Sequence, residues 1–175
     1  MQFFAVYVGA GGLRLSGEER RMSESKTSNS KAVVAEKLGV VLASSYMLQL
    51  KTQNFHWNVT GPNFRSVHLL FETQYKELAE AVDLVAERIR ALEAITPGSF
   101  AEFSKLSKLK EAPAKPPSEK AMISALAEDN EVLSKMCTEI GSFADDADDR
   151  ATGDIMNGRI EAHDKAAWML RSHLH

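Results

Sequence analysis

Five residues have metal-binding side chains in a regular pattern: His56, His68, Glu72, Asp83 and Glu87. His68 and Glu72 are four apart, and so are Asp83 and Glu87. On a helix, that spacing sets each pair on one face, one turn apart. Either pair can then clamp an ion from one side. Mixed imidazole and carboxylate donors suit iron, zinc or manganese better than calcium.

His68 and Asp83 are fifteen residues apart, which is about 22 Å along a helix axis. Metal bonds to oxygen and nitrogen span only about 2 Å. One chain therefore cannot bring both pairs to one ion. Either there are two separate half-sites, or a single site is built from two subunits. In an antiparallel two-fold pairing, His68 and Glu72 of one chain would face Asp83 and Glu87 of the partner subunit, and two such sites would form at once. Bundles that hold two irons inside one chain use a Glu-x-x-His pair on each of two helices. No histidine here follows that rule. Gln53, Arg65, Ile160 and Leu170 stand three residues before His56, His68, His163 and His173.

Taken singly, each piece has an ordinary explanation. A histidine at a helix end is usually a cap or a surface group. Acid–histidine or acid–acid pairs four apart are usually solvated, and Arg88 and Arg90 stand close to Glu87. The pattern gains weight as a set and in its order. His163, His173 and His175 read as structural or surface residues, Cys137 as a buried core thiol, and Trp168 as a core or interface anchor.

The elements that must hold these residues are helical. Apolar residues at three- and four-residue steps predict a helix from Lys31 to Asn58, with Val34, Leu38, Val41, Leu42, Leu48 and Phe55 inward. VTGPNF ends it, since Gly61 can turn left-handed and Pro62 cannot continue a helix. A second helix is expected over 65–94, with Leu69, Val82, Val85, Ile89 and Leu92 as its core stripe. Thr96, Pro97 and Gly98 stop it. The connector over 99–116 has room for one short helix in FAEFSKLSKL. Ser118 then reads as the N-cap of a third helix over 119–144. DDADDR marks a break before a fourth over 151–173. Strand signals are nearly absent, so the fold class is all-α. The expected form is a four-helix bundle whose second and third helices are joined by a long crossover carrying a short extra helix.

Composition sets outer bounds. At 175 residues and 44% hydrophobic, the chain suits one domain with a true core. A net charge of -3 does not suit a polycation that coats nucleic acid. The single cysteine cannot form an internal disulfide. No uninterrupted apolar run of about 18 residues suggests a membrane span. The opening MQFFAVYVGA is apolar, but no basic residue precedes it and no clear cleavage region follows. Residues 1–21 are expected to be an upstream extension, with MSESKTSNSK from Met22 a polar start; N-terminal sequencing of the native protein checks this. Residues 1–30 are expected to be disordered and 31–175 folded.

The stretch QNFHWNVTGPNFRSVHLLFE, followed by AVDLVAERIRALE, resembles the signature of the Dps proteins, or mini-ferritins. In that family an HWN histidine is followed twelve residues on by a second histidine and four later by a carboxylate. An Asp and Glu pair four apart then follows. Here those positions are His56, His68, Glu72, Asp83 and Glu87. Many members carry Asp where this chain has Glu72, a departure that bears on coordination and affinity. The resemblance extends to the closing DKAAWMLRSHL. It implies a ferritin-like bundle assembled into a twelve-subunit cytoplasmic shell, in some members associated with the nucleoid. It also implies that ferrous iron is oxidised by hydrogen peroxide at sites shared between subunits, the ferric product being stored as mineral. Trp57, beside His56, is then expected to pack near the site as a sacrificial electron donor. Family members admit iron through acidic three-fold channels. Asp145, Asp146, Asp148, Asp149 and Asp154 form the matching cluster here, with Asp149 and Asp154 as the chosen pore residues.

Three rival functions follow. Many Dps proteins bind DNA through a basic arm, but between Met22 and Lys31 only Lys26 and Lys31 are basic, against Glu24. Arg14, Arg20 and Arg21 upstream are offset by Glu18 and Glu19. DNA binding is therefore expected to be weak or absent, although a DNA-compacting shell with little ferroxidase activity is the alternative reading. A purely structural helical assembly would bind no metal stoichiometrically. A zinc or manganese shell would use the same ligands.

Overall fold

The computed structural model describes residues 17–174, with side chains from 29 onward. It contains five helices: α1 (Gly17–Asn58), α2 (Phe64–Ala91), α3 (Phe100–Leu106), α4 (Glu119–Asp146) and α5 (Arg150–Arg171). Among the described residues there is no strand. The all-α bundle with a short helix in the crossover is thus the observed fold. The main difference from the sequence expectation is the start of α1. The backbone is helical from Gly17 rather than Lys31. Polarity suggested a disordered arm, but EERRMSESK is rich in good helix formers, and the amphipathic stripe beyond it supplies a nucleus from which the helix extends backward. The expectations for residues 1–16 lie outside the described residues.

Local chemistry sets the helix ends. Gly61 between α1 and α2 has φ +141°, and a Cβ there would stand 2.6 Å from Glu119 Oε2, so both backbone shape and space call for glycine. α3 opens on a capping box in which Ser99 and Glu102 satisfy each other's backbone N–H groups. The Ser118 hydroxyl accepts from Ala121 N at the head of α4. Asp149 caps α5 by accepting from Thr152 N.

The connection from α2 to α4 spans the length of the bundle. Asn63, in the α1–α2 turn, donates to Glu119 Oε1 at the start of α4, while at the other end Arg88 near the close of α2 meets Asp149 at the start of α5. α3 lies along α1 on this path, where Tyr46 packs on Phe103 at 4.8 Å and Lys108 N donates to Ser44 Oγ.

The apolar core has two parts. One, nearer the α1–α2 turn, includes Leu48, Phe55, Phe71, Leu126 and Leu170. The other includes Leu38, Leu42, Val85, Ile89, Cys137 and Met156. Leu69, expected in the core stripe, is 48% exposed, and Trp168, expected as a core or interface anchor, is 62% exposed and so is not in the core of the single chain. Each lies just off the buried stripe of its helix. The segment Asn29–Asn58 is long and apolar enough to cross a membrane by length and composition, but most of its large apolar side chains are buried in the core, Leu50 and Trp57 being the exposed exceptions.

Polar groups are also buried in the bundle. Lys51 and Asp129 pair at 2.6 Å, and burial raises the Asp129 carboxyl while Lys51 holds it back. Arg159 is held by Glu77. Asn130 Oδ1 lies 2.8 Å from His163 Nδ1, and Arg159 Nη2 lies 3.3 Å from His163 Nε2. Since Arg159 can only donate, His163 Nε2 accepts and Nδ1 donates to Asn130. Burial, seconded by the Arg159 charge, pushes this histidine down to about 3, so it is neutral. Burial likewise pushes the Cys137 thiol up to about 11, which keeps it an unreactive core group. Among the described residues two cations, Lys51 and Arg159, thus lie inside the bundle, where they oppose a metal ion. This agrees with the missing Glu-x-x-His pairs.

Candidate metal centre

His56 lies in the last turn of α1 and His68 in the second turn of α2, so the short α1–α2 turn brings them together. Their rings stack at 3.8 Å with 22° between planes. His56 Nδ1 is 2.9 Å from the carbonyl of His68, and His68 Nδ1 is 2.9 Å from the carbonyl of His56. A carbonyl oxygen only accepts, so both Nδ1 atoms donate. In the neutral rings this leaves the lone pair on each Nε2, which makes no hydrogen bond among the described residues. Two imidazoles are therefore fixed in the tautomer that binds a metal through Nε2. Tyr75 meets His56 edge-on at 5.3 Å and Phe64 lies 5.0 Å from His68. The rings run in a row, Phe64, His68, His56 and Tyr75, so that Phe64 and Tyr75 wall the pair on its two sides.

Glu72 is one turn beyond His68, but its carboxylate is occupied. Lys76 Nζ lies 2.5 Å from Glu72 Oε1. The ammonium, by hydrogen bond and charge, holds the Glu72 carboxyl below its ordinary range, and the two imidazoles add to this when charged. Lys76 and the aromatic walls were not singled out in the sequence. Tyr75 and Lys76 lie seven and eight residues beyond His68, two turns along the same face, which is a signal that was legible.

Asp83 and Glu87 are exposed on α2 and make no hydrogen bond or ion pair among the described residues. The nearby arginines are engaged elsewhere. Arg88 reaches Asp149 at 2.6 Å and Thr152 at 2.9 Å, and Arg90 reaches the Ala94 carbonyl. The two carboxylates are therefore not neutralised as a local arginine pair. Among the described residues, no three His, Cys, Asp or Glu side chains of one chain converge on a point that would hold an ion. The geometry gives one imidazole cluster and one carboxylate pair on the same helix.

Trp57 is 61% exposed and makes no ring contact with the histidines among the described residues. Among the acidic residues at the α4–α5 break, Asp149 is committed to its cap, to the Thr152 hydroxyl and to Arg88. Asp154, Asp145, Asp146 and Asp148 are exposed. A groove of about 630 Å³ lies between α2 and α5, lined by residues including Leu70, Gln74, Ala166 and Met169, and includes none of the five candidate ligands.

Residues 35–175 match the model of the ferritin-like domain family. The chain is 34% identical to DNA protection during starvation protein 2 of Bacillus anthracis, across 81% of this chain and 96% of that one. It is 41% identical to an uncharacterized low temperature-induced protein of Nostoc sp., across 75% of this chain and 74% of the relative. The crystal structure of a Dps protein from Bacillus brevis superposes with a TM-score of 0.81 at 32% identity, covering 84% of this chain and 98% of that one.

Proposed function

The chain belongs to the Dps family of ferritin-like proteins, and from that premise we propose that it is an iron-storage and detoxification protein that oxidises ferrous iron with hydrogen peroxide. The site is shared between two subunits. His56, His68 and Glu72 come from one chain, and Asp83 and Glu87 from the partner subunit. The supporting observation is the paired imidazoles, each locked through Nδ1 with Nε2 free of hydrogen bonds among the described residues. Asp83 and Glu87 on the same helix, unpaired among the described residues, complement it.

Each group has a role in this reading. Neutral imidazoles and carboxylates bind Fe²⁺ and leave positions open for the oxidant. Two ferrous ions each give up one electron. The O–O bond of peroxide takes both and breaks, and hydrolysis of the ferric product releases protons. The carboxylates offset the rise in metal charge, which favours the ferric state. Taking both reactants together limits hydroxyl-radical formation. Trp57, whose indole is exposed in the single chain, is a sacrificial electron donor in this reading. The shell is a dodecamer in the cytoplasm. Asp149 and Asp154 mark the acidic pore, with Asp154 facing the ion and Asp149 holding the α5 terminus in place. With few clustered cations, the shell binds DNA weakly or not at all at physiological salt.

The test is direct. Apo protein is given Fe²⁺ without oxygen, then hydrogen peroxide, and ferric absorbance is followed beside the His56→Ala, His68→Ala double variant. Fast oxidation that the variant loses, with the iron remaining soluble in a large particle, is the expected result. Rates equal to the buffer blank for both proteins would remove the ferroxidase role.

A further inference from the structure

We infer that Lys76 is a built-in placeholder for metal at Glu72, so that the imidazole side of the site fills only when an ion displaces the lysine. The inference rests on the shared-site reading above. Lys76 Nζ is 2.5 Å from Glu72 Oε1, and these two groups are each other's only ion-pair partners among the described residues. Glu72 lies close enough to feel the charge of both imidazoles, yet it does not complete a three-ligand cluster with them. The ammonium holds the carboxylate in its metal-free position.

The two-fold arrangement keeps Lys76 there after assembly. If His68 faces Glu87 of the partner subunit and Glu72 faces Asp83 of the partner subunit, the same register sets Lys76 opposite Ala79 of the partner subunit. The lysine is then within about one turn of the two-fold axis. Alanine leaves room for the long side chain, so covering this face need not expel it. Covering also removes water, and an ion pair strengthens when water leaves. Metal at Glu72 must therefore compete with a cation already in place, while Asp83 and Glu87 have no such competitor among the described residues. The two positions of one site are made unequal by this one residue.

The test titrates Co²⁺ into the assembled apo protein and follows its visible absorbance, with no iron or oxidant present. Wild type, Lys76→Met, Lys76→Arg and the His56→Ala, His68→Ala double variant are compared. Wild type should show two unequal classes of site. Lys76→Met should tighten the weaker class by about 2- to 5-fold, the scale of an exposed i,i+4 ion pair, or more if assembly dries the pair. Lys76→Arg should return the wild-type pattern. Lys76→Gln provides the same test should methionine disturb the shell. If the weaker class is unchanged or looser in the neutral variants while the double variant loses binding, the placeholder role is wrong and the metal site stands. If wild type binds no Co²⁺, both fall.

Discussion

Lowering the pH from 7 to 5 will cost the bundle about 2 kcal/mol of stability through His163 alone. The ring is buried, donates to Asn130 and accepts from Arg159, and its folded value is about 3 against an ordinary 6.5. A depressed histidine binds fewer protons in the folded state than in the unfolded state. Its contribution is therefore complete above about 6.5 and falls as pH drops through the window from 6.5 to 3. At pH 5 the unfolded ring is nearly all protonated and the folded one is not. The loss down to pH 5 is thus set by the unfolded value, at about 1.4 kcal/mol for each pH unit below 6.5. The assay is urea denaturation at pH 7, 6 and 5, at fixed protein concentration, of wild type and His163→Gln. Glutamine can still donate to Asn130 and accept from Arg159 but does not titrate. Wild type should lose about 2 kcal/mol more than the variant over this range. Parallel pH profiles would mean that His163 is not a buried neutral ring between these partners.

Co-assembly distinguishes a shared site from a site within one chain. Shells mixed equally from His68→Ala and Asp83→Ala, Glu87→Ala chains, each inactive alone, should regain about a quarter of the metal sites if each is built from two chains by random pairing; no recovery in mixed shells of normal size would refute the sharing. Phe71 is fully buried, so Phe71→Ala should cost about 3–5 kcal/mol, read as a lower urea midpoint, and a cost under about 1 kcal/mol would show that the core collapses around it. A gel shift at moderate salt should show no tight retention of duplex DNA; a stable retarded complex would show cations that the sequence of residues 22–31 does not supply.

The sequence alone determined the helix pattern and singled out five candidate ligands. Period-3.6 apolar spacing reports which face of a helix is buried, and so α2, α4 and α5 begin and end within a few residues of expectation. A fixed rise per residue also shows, without coordinates, that His68 and Asp83 cannot reach one ion. The start of α1 escaped this reading because apolar spacing carries no signal in a polar segment that extends an existing helix. Leu69 escaped it because a residue at the edge of a stripe is buried only if a neighbour covers it. Tertiary structure decided what depends on distance between elements. The α1–α2 turn stacks His56 on His68 and exchanges their Nδ1 hydrogen bonds, which fixes the tautomer. The packing of α2 against α5 draws Arg88 to Asp149 and leaves Asp83 and Glu87 without an ion pair among the described residues. Side-chain rotamers turn Glu72 to Lys76 rather than to the imidazoles. These outcomes follow from angles and distances that chain order does not encode locally, since a hydrogen bond or an ion pair depends on tenths of an ångström.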